Sequence, residues 1–177
     1  MKNILAFLMV LLFQSCNVMF KKSDSDVLLE KTEILLNSVV SLYEDSVFIH
    51  STPKIITFVP DTGECANCKM TLNHWMMYKT DLEERGISCN VIFILNDSIK
   101  LNNETLALIE NYKLHQSNGL AKLYRLNNNI PLNTFSTYLL DRDNHIRLVG
   151  NPVQNIDLWS LYRKTLREIN SLNTLSN

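Results

Sequence analysis

The stretch KIITFVPDTGECANCKM, Lys54 to Met70, joins an apolar run, a cysteine pair and the start of a helical pattern. Lys54 to Val59 is a compact β-branched and aromatic run that reads as a buried central strand, and Pro60 ends it. Cys65 and Cys68 then stand at Cys-x-x-Cys spacing. Cys68, Leu72, Trp75, Met76, Tyr78, Lys79 and Leu82 fall along one helical face, and Gly86 is placed to stop that helix. On the residues alone the pair is a redox couple, half of a metal site or a structural staple. Zinc takes four ligands, or three and a water. Here there is one Cys-x-x-Cys, and His50, His74, His115 and His145 are scattered without ligand spacing. No metal is expected.

Outward from this stretch, the pattern predicts an alternation of helices and strands. Leu28, Leu29, Ile34, Leu35, Val39, Leu42 and Tyr43 lie near helical spacing, which predicts a helix over 26–46 with Asp26 as its cap. CNVIFIL, Cys89 to Leu95, reads as a second buried strand, with Cys89 as a small buried hydrophobe at its start. NNETLALIENYKLH reads as a helix with Leu106, Leu108, Ile109 and Tyr112 inward, and NGLAKLYRLNNNIP as a short helix and turn. FSTYLLDRDNHIRLVG predicts a hairpin: strand Ser136–Leu140, turn Asp141–Asn144, strand His145–Val149. The closing helix carries Ile156, Trp159, Tyr162, Leu166 and Ile169 on one face. Crossover helices between the early strands and a final antiparallel hairpin give an α/β sandwich with a mixed sheet.

The chain has 177 residues, 46% of them apolar, enough for a proper core in one domain. Its formal charge is −1, with no basic concentration of the kind that binds nucleic acid. At the start, Lys2 precedes an unbroken apolar run of ten residues, Ile4 to Phe13. A bilayer span needs roughly 17–25 residues, so the run suits a secretory signal instead. It ends in Gln14-Ser15-Cys16, which resembles a bacterial lipoprotein signal. That resemblance implies removal of residues 1–15, lipidation of Cys16, and a polar tether over 16–25. An ordinary secretory signal with an incidental cysteine is the alternative. Export would allow Cys65–Cys68 to rest as a disulfide, leaving Cys89 as an odd thiol.

The pattern as a whole resembles the thioredoxin-like fold, over roughly residues 52–172. A buried strand runs into a loop, Cys-x-x-Cys opens a helix, a second strand follows, and a hairpin and helix close the domain. The lipoprotein signal suits the extracytoplasmic, lipid-anchored branch of that family found in bacteria such as Bacteroidetes. The resemblance implies a three-layer domain over 51–177 with an added N-terminal helix over 26–50. Departures are visible: Gly63-Glu64 stands where the family has an aromatic, and Ala66-Asn67 separates the cysteines. The proline that faces the dithiol in the family falls on Pro131 when counted from Ile130, and on Phe135 when counted back from the Asp141 turn.

The expected function is that of a thiol–disulfide oxidoreductase anchored in the cell envelope. Cys65 is the expected nucleophile, since a helix N-terminus favours a thiolate, and Cys68 the resolving thiol. Glu64 works against the thiolate, as a neighbouring carboxylate raises a thiol pKa. No cofactor is expected. The implied partners are cysteine-bearing envelope proteins, a redox partner and the membrane through Cys16. The rival reading is a non-enzymatic envelope adaptor in which Cys65–Cys68 is a staple.

Overall fold

The computed structural model describes residues 24–43, 52–60, 70–153 and 155–171. The chain divides by its internal packing into two units, residues 1–30 and 31–177. The described part of the first is the opening of helix α1 (Asp24–Leu36), where Asp24 and Asp26 sit in the first turn and suit the positive end of the helix dipole. The rest of α1 belongs to the second unit.

In that unit, strands β1 (Lys54–Val59) and β2 (Asn90–Leu95) are parallel neighbours in full register, from Lys54 opposite Asn90 to Val59 opposite Leu95. They flank helix α2 (Leu72–Glu84), the crossover that a parallel pair requires. Helix α3 (Asn103–Asn111) leads to β3 (His115–Asn118), parallel to β2, and helix α4 (Leu120–Leu126) follows. Strands β4 (Thr137–Leu140) and β5 (Ile146–Val149) form the hairpin, with β4 antiparallel to β1, and helix α5 (Ile156–Ser171) closes the chain. The sheet order is β3-β2-β1-β4-β5. This is an α/β fold with a mixed central sheet.

Alternation along the strands feeds two cores. Ile55, Val59, Val91, Phe93, Leu95 and Leu139 pack on one face with Leu72, Trp75 and Leu82 of α2, and with Trp159, Tyr162, Leu166 and Ile169 of α5. Ile56, Phe58, Ile92, Ile94, Tyr138 and Leu140 pack on the other with Leu120 and Leu123 of α4, and with Leu35, Val40 and Tyr43. All six residues of β1 are buried, as a strand covered on both faces should be. Across α2 and α5 the Tyr78 and Trp159 rings stack with centroids 4.0 Å apart. Beside them Asp81 accepts hydrogen bonds from the Trp159 indole at 3.0 Å and Arg85 at 2.6 Å. Helix α2 ends as its sequence predicts. Gly86 takes a φ of 65°, and Ile87 N–H returns to the Leu82 carbonyl at 2.9 Å.

Several expectations need correcting. Helix α1 stops at Leu36 rather than continuing to residue 46. Side chains take its last carbonyls: Asn37 Nδ2 donates to Glu33 O at 2.9 Å, and Ser38 Oγ to Ile34 O at 2.7 Å. The chain then runs extended beside the hairpin, where Ile146 N–H donates to Ser38 O and Val40 N–H to Asn144 O. The expected helix over Asn102–His115 ends at Asn111, and His115–Asn118 is an edge strand. On α3 it is Thr105 and Ile109 that are buried, while Leu106, Leu108 and Tyr112 are exposed. Ile156 at the start of α5 is exposed as well. Residues 44–50, the last part expected for the N-terminal helical segment, lie outside the described residues.

Candidate functional site at the end of strand β1

Strands β1, β2 and β3 run in one direction, so their C-terminal ends share one edge of the sheet. Val59 O accepts from Asn96 N–H at 3.0 Å, and Leu95 O accepts from Gly119 N–H at 3.2 Å, which carries the pairing to the strand ends. Asn118 Nδ2 donates across to Ile99 O at 3.1 Å. Below it, Tyr43 Oη and Ser117 Oγ share a buried hydrogen bond of 2.8 Å. Gly119 has a φ of 135°, and a Cβ there would lie 3.0 Å from the Tyr43 hydroxyl. A side chain at 119 is therefore opposed by both backbone and space.

Cys65 and Cys68, with Glu64 between strand and pair, follow from this edge in sequence. They lie outside the described residues, as does Cys16. The chain is described again from Met70. Thr71 is in the left-handed region at φ 45°, a strained setting for a β-branched residue, and regular helix begins at Leu72. His74 and Trp75 N–H groups both bond to Thr71 O.

The second segment at this edge is residues 131–136, which enters β4. The β1–β4 register sets Thr57 opposite Thr137, and Phe58 N–H donates to Ser136 O at 2.7 Å. Phe135 therefore stands two residues before the last strand pairing, next to Ser136 at the end of β1. Pro131 is farther back, where its carbonyl accepts from Thr134 N–H at 3.0 Å. No cis peptide bond occurs among the described residues. The loop is tied from below by Tyr138, whose hydroxyl accepts from Phe135 N–H at 3.1 Å and donates to Leu132 O at 2.8 Å. The Tyr138 ring lies between Phe58, 5.4 Å away by centroids, and Phe135, at 6.4 Å. Tyr124 meets Phe58 edge-on at 5.6 Å. Burial pushes the Tyr138 phenol up to about 12, so it stays a neutral donor and acceptor throughout the physiological range.

Cys89 lies at the other end of the sheet. It is buried, and burial pushes its thiol up to about 12 against the pull of Lys79 and Lys54. Its thiol donates to Asn90 O at 3.5 Å, and Lys79 Nζ donates to Cys89 O at 3.0 Å. Among the described residues, the one trio with metal-ligand chemistry is Asp141, Asp143 and His145 in the hairpin turn. Asp141 Oδ1 there accepts from the backbone N–H groups of Asp143 and His145, at 3.0 and 2.9 Å. Its role is to close the turn. Sequence reasoning missed Tyr138, although a tyrosine in the wholly buried run Thr137–Leu140 is itself a signal, because its hydroxyl must find partners inside.

No protein-family model matches this sequence, and no curated protein does. Solved structures that resemble it are thioredoxin-fold proteins. One is the thioredoxin domain of a thiol-disulfide oxidoreductase from Bacteroides vulgatus, 14% identical, covering 66% of this chain and 80% of that one with a TM-score of 0.41. Another is a putative thioredoxin from Neisseria meningitidis, 13% identical over 70% of this chain and 89% of that one, TM-score 0.41. A third is a secreted disulfide oxidoreductase of Mycobacterium tuberculosis, 12% identical over 66% and 85%, TM-score 0.35. Among the described residues no helix is long and apolar enough to cross a membrane.

Proposed function

We propose that this chain is a thiol–disulfide oxidoreductase acting on cysteine-bearing proteins of the cell envelope, held at the membrane by a lipid on Cys16. The observation that carries the redox reading is the place of Cys65 and Cys68 in the chain. In sequence they follow β1 and precede α2, the crossover helix of the parallel β1–β2 pair. The lipid anchor rests on the apolar run ending in Ser15-Cys16.

In the forward direction the Cys65 thiolate attacks one sulfur of a substrate disulfide. The substrate's S–S bond breaks, a Cys65–substrate disulfide forms, and the leaving thiolate takes a proton. Cys68, as thiolate, then attacks the Cys65 sulfur and releases the second substrate thiol. The substrate gains two electrons and two protons, and the protein is left with a Cys65–Cys68 disulfide. A dithiol partner reverses these steps.

The test is a redox equilibration of the full chain with glutathione and dithiothreitol buffers. A reversible couple between about −120 and −270 mV, abolished by Cys65→Ser, is the expected result. A potential below about −300 mV is that of a structural disulfide and would leave the adaptor reading in its place. The anchor is checked separately: Cys16→Ser should move the protein from the membrane fraction to the soluble one.

A further inference from the structure

We propose that the outer face of helix α2 docks a partner protein through an amphipathic helix that carries a lysine or arginine beside its apolar side chains. Asn73, Met77, Thr80 and Glu84 stand at i, i+4, i+7 and i+11, one exposed stripe of α2 opposite the buried Leu72, Trp75, Lys79 and Leu82. With Met76 on the same helix and Tyr112 just past the end of α3, this stripe lines a groove of about 520 Å³. Met76 is packed against the core below, which fixes the floor. Above it Met77 is 67% exposed and Tyr112 37%. Thr80 spends its hydroxyl within the helix, on Met76 O at 3.0 Å. Large apolar side chains left to solvent in a concave place mark a surface that another molecule covers. The described groove begins at Asn73, so docking here does not depend on the thiol chemistry proposed above.

The charges decide what the occupant is. Among the described residues lining the groove, the charged ones are Asp81 and Glu84, both acidic. Asp81 is already compensated, by Arg85 at 2.6 Å and Arg163 at 3.4 Å. The neighbouring Glu83 takes Lys79 at 3.7 Å and Lys113 at 3.6 Å. These pairs account for all four cations, and Glu84 is left without an ion pair among the described residues. A carboxylate without a cation, at the end of a methionine-lined groove, is complemented by a cation that the occupant brings. A second copy of this chain would bring the same carboxylates to the groove and no cation, and an anionic lipid surface would be repelled. A groove between two helices, floored by adaptable methionines, suits the apolar face of a helix with anchors at i, i+3, i+4 and i+7.

The test measures binding of fluorescent synthetic peptides of about 15 residues to the full chain, by anisotropy at about 0.15 M salt. One peptide carries leucines at i, i+3, i+4 and i+7 with lysines flanking them. A second has every lysine replaced by glutamate, and a third every leucine by serine. The wild type is compared with Glu84→Lys, Met77→Ser and Asp143→Lys, the last making the same charge change at an exposed residue of the hairpin turn. The wild type should bind the leucine–lysine peptide at least about tenfold more tightly than the other two. Glu84→Lys and Met77→Ser should each weaken that binding about tenfold, and Asp143→Lys less than about twofold. Glu84 and Met77 are exposed, so both variants should keep their Tm within about 2 °C of the wild type. Equal weakening by Glu84→Lys and Asp143→Lys overturns the inference, because attraction to net charge then explains the binding. So does a wild type that binds none of the peptides or all three alike. A dimer in sedimentation equilibrium that Met77→Ser dissociates overturns it as well, by seating a second copy on the groove.

Discussion

At the Lys54 end of the sheet, two lysines and a cysteine are packed out of water; at the Val59 end, an aromatic trio lifts a single hydroxyl to a surface loop. Both ends bury polar atoms, but they spend them differently. Lys54 Nζ donates to Thr52 O at 3.1 Å and Asn144 Oδ1 at 3.2 Å, and Lys79 Nζ to Cys89 O at 3.0 Å. Those bonds tie the starts of β1 and β2 to the hairpin turn and to helix α2. The Tyr138 hydroxyl instead bonds to the backbone of a loop that enters the sheet from outside. The lesson concerns thiols. A cysteine at the lysine-rich end has cations nearby and still holds its proton, because burial outweighs their attraction. A nearby positive charge does not make a reactive cysteine when water cannot reach the sulfur.

That contrast breaks most directly at Cys89. In a chain with Cys16, Cys65 and Cys68 replaced by serine, Cys89 is the one thiol left. Its alkylation by iodoacetamide at pH 8, followed by mass, should be at least about a thousandfold slower in the native protein than in denaturant, since reaction waits on opening of the core. A native rate close to the denatured one would mean that this end of the sheet is open.

A second, smaller effect is expected in base. The Cys89 thiol titrates near 9.0 when unfolded and near 12 when folded. Between those values the unfolded chain has released a proton that the folded one keeps, so stability falls as pH rises. Cys89→Ala should remove that part of the alkaline loss, at a cost of about 1 kcal/mol at pH 7 from the missing sulfur. Thermal unfolding of both proteins from pH 7 to pH 10.5 reads it. Parallel curves would sink the claim that the folded thiol is held neutral.

The two ends were not equally legible in the sequence. The central strands were plain, because β1 and β2 are buried on both faces and so carry unbroken apolar runs. Gly86 marked the end of α2 because only a left-handed residue continues the chain there. Strand β3 left no trace in HQSN: only Ser117 is buried, and the strand exists because β2 offers it a ladder, which is a tertiary cause. The long first helix was misread for a related reason. Val39 and Tyr43 keep helical spacing, yet Asn37 and Ser38 had already signalled a stop by their affinity for backbone carbonyls. For the site, sequence order sets the cysteine pair between strand and helix, while Phe135 could be put beside β1 only through the Thr57–Thr137 register. Pattern shows what a residue is; pairing shows what it faces.

The smallest effect, and the sharpest test of how the closed end works, belongs to Lys54. Burial lowers its pKa, while Asp141, Cys89 and Asp143 partly restore it. A cation whose folded pKa lies below its unfolded value is a burden at neutral pH, when it is charged in both states. That burden is relieved as pH climbs through the folded pKa toward 10.5, because the unfolded chain then binds more protons than the folded one. Lys54→Met keeps most of the volume and removes the ammonium, but it strands Asn144 Oδ1 and Thr52 O. These terms oppose, so stability at pH 7 should change by no more than about 1 kcal/mol in either direction. The slope is more telling than the offset. Relative to Lys54→Met, the wild type should gain stability as pH rises just below 10.5, opposite in sign to the effect of Cys89 a few residues along the neighbouring strand start. Measured by denaturant unfolding on the two single variants, those opposite slopes would show that lysine and thiol are each desolvated at the same sealed end. The reverse pair of slopes, a gain from Cys89 as pH rises toward 9.0 and a loss from Lys54 as pH rises above 10.5, would mean that the two form an ion pair rather than an ammonium beside a neutral thiol.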